Sequence, residues 1–162
     1  SKHTIIRKYL AFIWGVIRPL NGNISTYISR DKFNRQTMSV SSSKGKYAVT
    51  NYKTLKVFQN KDIPKISLIE FKLETGRTHQ IRVHMKYKQT NILGDKVYGK
   101  RRLKFKKINT VLEKKIQELK GQMLHAGTLG FVHPKNNKIK KFNIEPPKKF
   151  KNLLNFLEKN SN

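Results

Sequence analysis

A change of period at one point in the chain constrains the fold more than any other feature. Residues 65–74 alternate, with Ile66, Leu68, Glu70, Lys72 and Glu74 on one side and Ser67, Ile69, Phe71 and Leu73 on the other. A repeat of two is what a strand imposes on its side chains. Thr75-Gly76 breaks that repeat. Over 77–88 a spacing of three and four takes over and puts Ile81, His84, Met85 and Lys88 on one helical face. The chain must therefore turn from a strand into a helix across a single glycine, and the helix must pack back on the sheet that the strand joins.

The flanking sequence extends this reading. Residues 8–17 hold the longest apolar run, Tyr9 to Ile17, and read as a buried strand. Gly22 to Ser29 reads as a short strand, and 30–45 as a polar, basic excursion ending in Ser41-Ser42-Ser43-Lys44-Gly45. Tyr47, Val49, Tyr52, Leu55 and Val57 alternate with polar residues over 46–57, with room for one bulge. Leu112, Ile116 and Leu119 predict a helix over 110–120. Residues 127–133 and 139–144 predict a hairpin around Pro134-Lys135-Asn136-Asn137-Lys138. Phe150, Leu153, Leu154 and Leu157 predict a last helix over 147–159. Strands with a few helices on a mainly antiparallel sheet make an α+β fold of one domain.

Charge narrows the partner. Lys and Arg number 36 against 9 Asp and Glu, a formal net charge of +27 over 162 residues. A polyanion is the natural partner, because each phosphate contact releases condensed counterions. An anionic membrane surface fits less well, since the cations are spread along the chain and not gathered on one amphipathic helix. No apolar run approaches the roughly 18 residues that a membrane-spanning helix needs. Cysteine is absent, which excludes disulfides and thiolate metal sites and agrees with a cytoplasmic location. The Ser-Lys-His-Thr start shows no leader pattern and suggests a chain cut from something longer.

The chemistry gathers in Glu74-Thr75-Gly76-Arg77-Thr78-His79-Gln80-Ile81-Arg82-Val83-His84. Two arginines and two histidines at a helix start suit a phosphate or carboxylate site. A solvated basic helix accounts for the same residues equally well. A metal site is the weaker alternative: His79 and His84 stand five apart, a poor spacing for one helical face.

That segment, with Ile92-Leu93-Gly94-Asp95 and Tyr98-Gly99 after it, closely resembles the signature of the RluA family of pseudouridine synthases. Further matches run in order along the chain: Lys8-Tyr9-Leu10-Ala11 with Gly15, Ile28-Ser29-Arg30, Gly45-Lys46-Tyr47-Ala48-Val49-Thr50 with Tyr52, Leu124-His125-Ala126, Leu129-Gly130-Phe131-Val132-His133-Pro134, and Pro146-Pro147 with Phe150. Within the family the chain looks most like the large-subunit ribosomal RNA enzyme of the D type.

The resemblance implies the mixed, mainly antiparallel sheet of that catalytic domain and an enzyme that detaches uracil from its ribose, turns it and rejoins it through carbon. It implies ribosomal RNA as the substrate, no metal or organic cofactor, no membrane, and a monomer when complete. It implies Tyr9 as the tyrosine that packs on the base and Arg82 as the arginine that pairs with a nucleophilic aspartate. Arg77, His79, Lys100, Arg101 and Arg102 are expected to contact RNA, and Ile81, Leu93, Leu124 and His125 to shape the pocket. The family carries its aspartate upstream of the tyrosine strand. Asp31, Asp62 and Asp95 do not match that place, so residues 1–162 are expected to be the C-terminal part of the catalytic domain, inactive alone. A non-catalytic RNA-binding remnant is the alternative.

Overall fold

In this computed structural model the described residues are 4–99 and 107–162. They form a seven-stranded sheet with three helices. The strands are β1 (Thr4–Trp14), β2 (Asn21–Arg30), β3 (Met38–Ser41), β4 (Lys46–Asn60), β5 (Ile63–Leu73), β6 (Leu124–Val132) and β7 (Ile139–Asn143). The helices are α1 (Gln80–Tyr87), α2 (Thr110–Gln117) and α3 (Lys148–Asn160). Strand order is β3-β2-β4-β5-β1-β6-β7, every pair antiparallel. The α+β expectation and the mainly antiparallel sheet are what the structure has.

β1 is the strand that everything else flanks. Its centre pairs with β5 on one side, Tyr9 opposite Phe71, and with β6 on the other, Tyr9 opposite Ala126. Alternation puts Tyr9, Ala11 and Ile13 on one face and Leu10, Phe12 and Trp14 on the other. α1 covers the first face further along the sheet, over β2 and β4. α3 covers the second: the Phe150 ring lies 4.6 Å from Phe12. With both faces covered, β5 buries Ile66, Ser67, Leu68 and Ile69 in succession. Its sequence alternation suggested a half-exposed strand, but only Lys65 and Lys72 are exposed, and the four residues from Ile66 to Ile69 are all buried.

Two other boundaries differ from the sequence reading. β1 stops at Trp14 because Gly15 takes a left-handed turn, φ +84°. The polar excursion 30–45 contains β3, whose Met38 and Val40 pack on a small second core of Ile28, Ala48, Val83 and Tyr98. Its polar composition hides this, since the strand is only four residues long. The tight turn after β3 depends on Gly45: at φ +96° a Cβ would stand 2.1 Å from the Ile28 carbonyl oxygen.

Phe12 is wholly buried against Phe150, so Phe12→Ala should lower unfolding free energy by about 3–5 kcal/mol in urea titrations. A loss below about 1 kcal/mol would show that α3 does not pack there.

Candidate active site

The turn from β5 into α1 is held by side chains rather than by a regular helix start. Val49 N–H donates to Thr75 Oγ1 at 2.9 Å, and Thr75 Oγ1 donates to Gln80 Oε1 at 2.7 Å. The same Gln80 oxygen accepts Arg77 N–H, while its Nε2 donates to Val49 O and Thr50 Oγ1. Thr50 is left with one hydroxyl proton, which goes to His84 Nδ1 at 2.7 Å. His84 Nε2–H then donates to Thr26 Oγ1 at 2.8 Å. Thr50, Gln80 and His84 are all buried, and each of these polar atoms has its partner.

This network fixes His84 as a neutral imidazole. Burial pushes its pKa down to about 4, with Lys88 adding to the effect. Both ring nitrogens are committed to threonines, so His84 is no metal ligand.

Two residues from His84, and so on the other side of the helix, stands Arg82. Its Nε and Nη2 meet Asp95 Oδ2 and Oδ1 at 2.8 and 3.0 Å. Its guanidinium also lies 4.9 Å from the Tyr98 ring centroid. The Asp95 side chain is only 1% exposed. Its Oδ1 also accepts the N–H groups of Val97 and Tyr98. Burial alone would raise the Asp95 pKa. The Arg82 hydrogen bonds, the two backbone donors and the Arg82 charge outweigh it and hold the carboxyl below its ordinary value. Asp95 in turn raises the pKa of Arg82.

Tyr98 extends the cluster. Its hydroxyl accepts Met38 N–H at 3.0 Å and donates to His79 Nδ1 at 2.7 Å. His79 caps α1 in the left-handed region, φ +55°, a conformation that costs a non-glycine residue of order 1 kcal/mol. Burial and the nearby Arg82 charge lower its pKa.

These positions revise several sequence expectations. Arg82 was expected to await a carboxylate from outside residues 1–162; Asp95, inside the chain, already binds it. The signal was the Ile92–Gly99 block, but nothing in local spacing joins positions 82 and 95. Asp95 itself is too buried and too heavily hydrogen-bonded to attack a substrate. Asp31 and Asp62 are likewise committed, to the Phe33 and Asn34 N–H groups and to Asn109. His79 turns inward to Tyr98 instead of outward to RNA. Arg77 spends its Nε on Tyr47 O, 2.9 Å away. Ile81 and Leu93 belong to the main core, and Leu124 packs against it. His125 lies on the opposite face from Tyr9: it pairs across from Leu10, its ring lies 6.3 Å from Phe150 at a tilt of 55°, and its Nε2 bonds Ile144 O. Lys100, Arg101 and Arg102 lie outside the described residues.

Tyr9 is half-buried on the face that α1 also covers. None of the hydrogen bonds, ion pairs or ring contacts among the described residues joins it to Arg82. Arg7, two residues earlier on the same face, was missed: its guanidinium comes within 2.7 Å of where a Gly76 Cβ would stand, so a larger residue at that turn would have to push the end of the arginine side chain aside.

Two measurements check this geometry. Between its ordinary 6.5 and its folded pKa of about 4, His84 is protonated more in the unfolded chain. Stability from this group is therefore present above pH 6.5 and lost as pH falls toward 4. It should amount to about 3 kcal/mol, read as the extra loss of unfolding free energy in the parent over His84→Gln. Equal pH slopes would show that His84 is not held neutral. Separately, Arg82→Ala should cost about 3 kcal/mol by leaving the Asp95 charge buried and unpaired, and the double change Arg82→Ala with Asp95→Ala should recover part of that. Additive losses would deny the coupling.

Comparison with known proteins agrees with this architecture. The family model described as RNA pseudouridylate synthase matches residues 1–87. YlyB of Bacillus subtilis, described as an uncharacterized RNA pseudouridine synthase, is 41% identical over 97% of this chain and 46% of its own length. Ribosomal large subunit pseudouridine synthase D of Zymomonas mobilis is 40% identical over 97% of this chain and 46% of its own length. The chain thus spans just under half of these relatives. Among solved structures, human RNA Pseudouridylate Synthase Domain Containing 1 superposes with a TM-score of 0.66 at 26% identity, covering 88% of this chain and 55% of that one. A family model over more than half of the chain and relatives about 40% identical along nearly all of it agree, and the chain belongs to the RluA family of RNA pseudouridine synthases.

Proposed function

We propose that residues 1–162 are the C-terminal part of a catalytic domain that isomerises uridine to pseudouridine in structured RNA, with large-subunit ribosomal RNA as the substrate. The family supports the reaction, and the ribosomal name of the Zymomonas relative supports the substrate. The observation that carries the reading is the held guanidinium of Arg82. Asp95 uses two of its five donors, and a nucleophilic carboxylate can take others. Such a pairing keeps the nucleophile ionised and aims it. Tyr9, on β1, supplies a ring to pack on the flipped base and a hydroxyl for proton transfer. RNA contacts come from exposed cations and the part of Arg77 that Tyr47 leaves free, joined, as the sequence resemblance implies, by Lys100, Arg101 and Arg102.

The nucleophile lies outside these residues on this reading, because each aspartate of the chain is used otherwise. A non-catalytic RNA-binding role is the second reading. The bidentate Arg82–Asp95 pair favours it, since that pair already satisfies the arginine's charge.

The test is pseudouridine formation in a ribosomal RNA transcript. The chain alone should give none, and the chain joined behind the N-terminal half of the Bacillus relative should give turnover. In that fusion Arg82→Ala should abolish turnover while RNA binding changes little, and Tyr9→Phe should impair turnover. Turnover by the chain alone would contradict an external nucleophile. Binding by the fusion without turnover would favour the second reading.

A further inference from the structure

Phe33 stands at the tip of the loop that joins β2 to β3 and is 100% exposed; among the described residues the next most exposed large apolar side chain, Ile139, is 55%. A single exposed apolar residue is ordinary. What sets this one apart is the loop beneath it. Asp31 Oδ1 accepts the N–H groups of Phe33 and Asn34 at 2.8 and 2.9 Å. Asp31 N–H reaches Thr37 O, Asn34 O takes both the N–H and the hydroxyl of Thr37, and Arg30 Nη1 ties to Arg35 O. A loop bonded this thoroughly fixes the ring outward, at no gain to the core.

The surroundings are cationic. Arg30, Lys32, Lys44 and Phe33, with the single carboxylate of Asp31, line one recess between this loop and the following turn, three cations to one anion. The loop also reports to the candidate active site. Its far foot, Met38, donates its N–H to the Tyr98 hydroxyl, and the Tyr98 ring carries Arg82. Arg30 lies near enough to His79 and Tyr98 for its charge to act on both. The loop and the Arg82–Tyr98 cluster are thus joined through both feet of the loop, Met38 and Arg30.

We propose that the β2–β3 loop is a stacking finger for an unpaired base of loop or single-stranded RNA, with Phe33 on the base and Lys32 and Arg35 on the adjoining phosphates. A rigid aromatic between cations suits a nucleotide, whose base has a π-face and whose backbone is anionic. The inference rests on the RNA-binding reading above.

The test uses the full 162-residue chain and a hairpin RNA with an unpaired 2-aminopurine in its loop. Binding should quench the fluorescence. Phe33→Ala should remove the quench and weaken binding about tenfold, with the slope of log affinity against log salt unchanged. Phe33→Trp should restore both, and Phe33→Leu, which is apolar without a π-face, should restore neither. Lys32→Ala and Arg35→Ala should each lower the salt slope by about 1. Unchanged affinity and quench in Phe33→Ala would overturn the finger alone. Rescue by Leu would overturn stacking. Failure of the unaltered chain to bind the hairpin would overturn the RNA reading together with the finger.

Discussion

A single hydroxyl holds the helix on the sheet. Thr50 Oγ1, wholly buried in β4, accepts from Gln80 and donates to His84, so two residues of α1 that stand one turn apart are tied to one point. His84 carries the tie on to β2 through Thr26, and Gln80 carries it back to the turn through Thr75 and Arg77. Each of these atoms is buried or half-buried, and leaving one unpaired costs about 1–3 kcal/mol. The network is therefore close to all-or-none. It sets the height and rotation of α1, and with them the place of Arg82, which no core contact could fix on its own.

The same helix serves three environments at once. Ile81 and Met85 enter the main core, Val83 enters the small core with Ile28 and Ala48, and Arg82 stands between them and solvent. The arginine stays ordered there because Asp95 grips it edge-on and Tyr98 lies against its face. Tyr98 passes that order to β3 and to the left-handed cap at His79. A chain with net charge +27 needs such a device. Most of its cations are free to follow a polyanion, and this one is held at a fixed position among them.

Much of the fold was legible because period is a local property. The alternation at 65–73, the break at Gly76 and the stripe through Phe150, Leu153 and Leu157 each report their element without help from elsewhere. The site was less legible. Resemblance marked Tyr9 and Arg82, yet the partner of Arg82 lies 13 residues away, across the end of the helix and a turn, where no periodicity connects the two. The partners of His79 and Arg77, the Tyr98 hydroxyl and the Tyr47 carbonyl, were not legible because composition records charge and not direction. β3 was missed because Met38 and Val40 are two apolar residues in a short strand inside a polar stretch, and they owe their place to the core around Tyr98 and Val83. His125 was put with the pocket because a sequence block does not say which face of a strand a residue takes; its register with Leu10 does.

The most direct measurement is the exchange of the Arg82 Nε proton with water, followed by nitrogen-resolved NMR on the intact chain. A guanidinium gripped by a side chain that is 1% exposed should show a slowly exchanging, shifted Nε–H signal, and Asp95→Asn should collapse it toward the position of the solvent-exposed arginines. An Arg82 signal that exchanges as fast as those of the exposed arginines in the parent chain would mean that the arginine is not held, and the account of the site would fall with it.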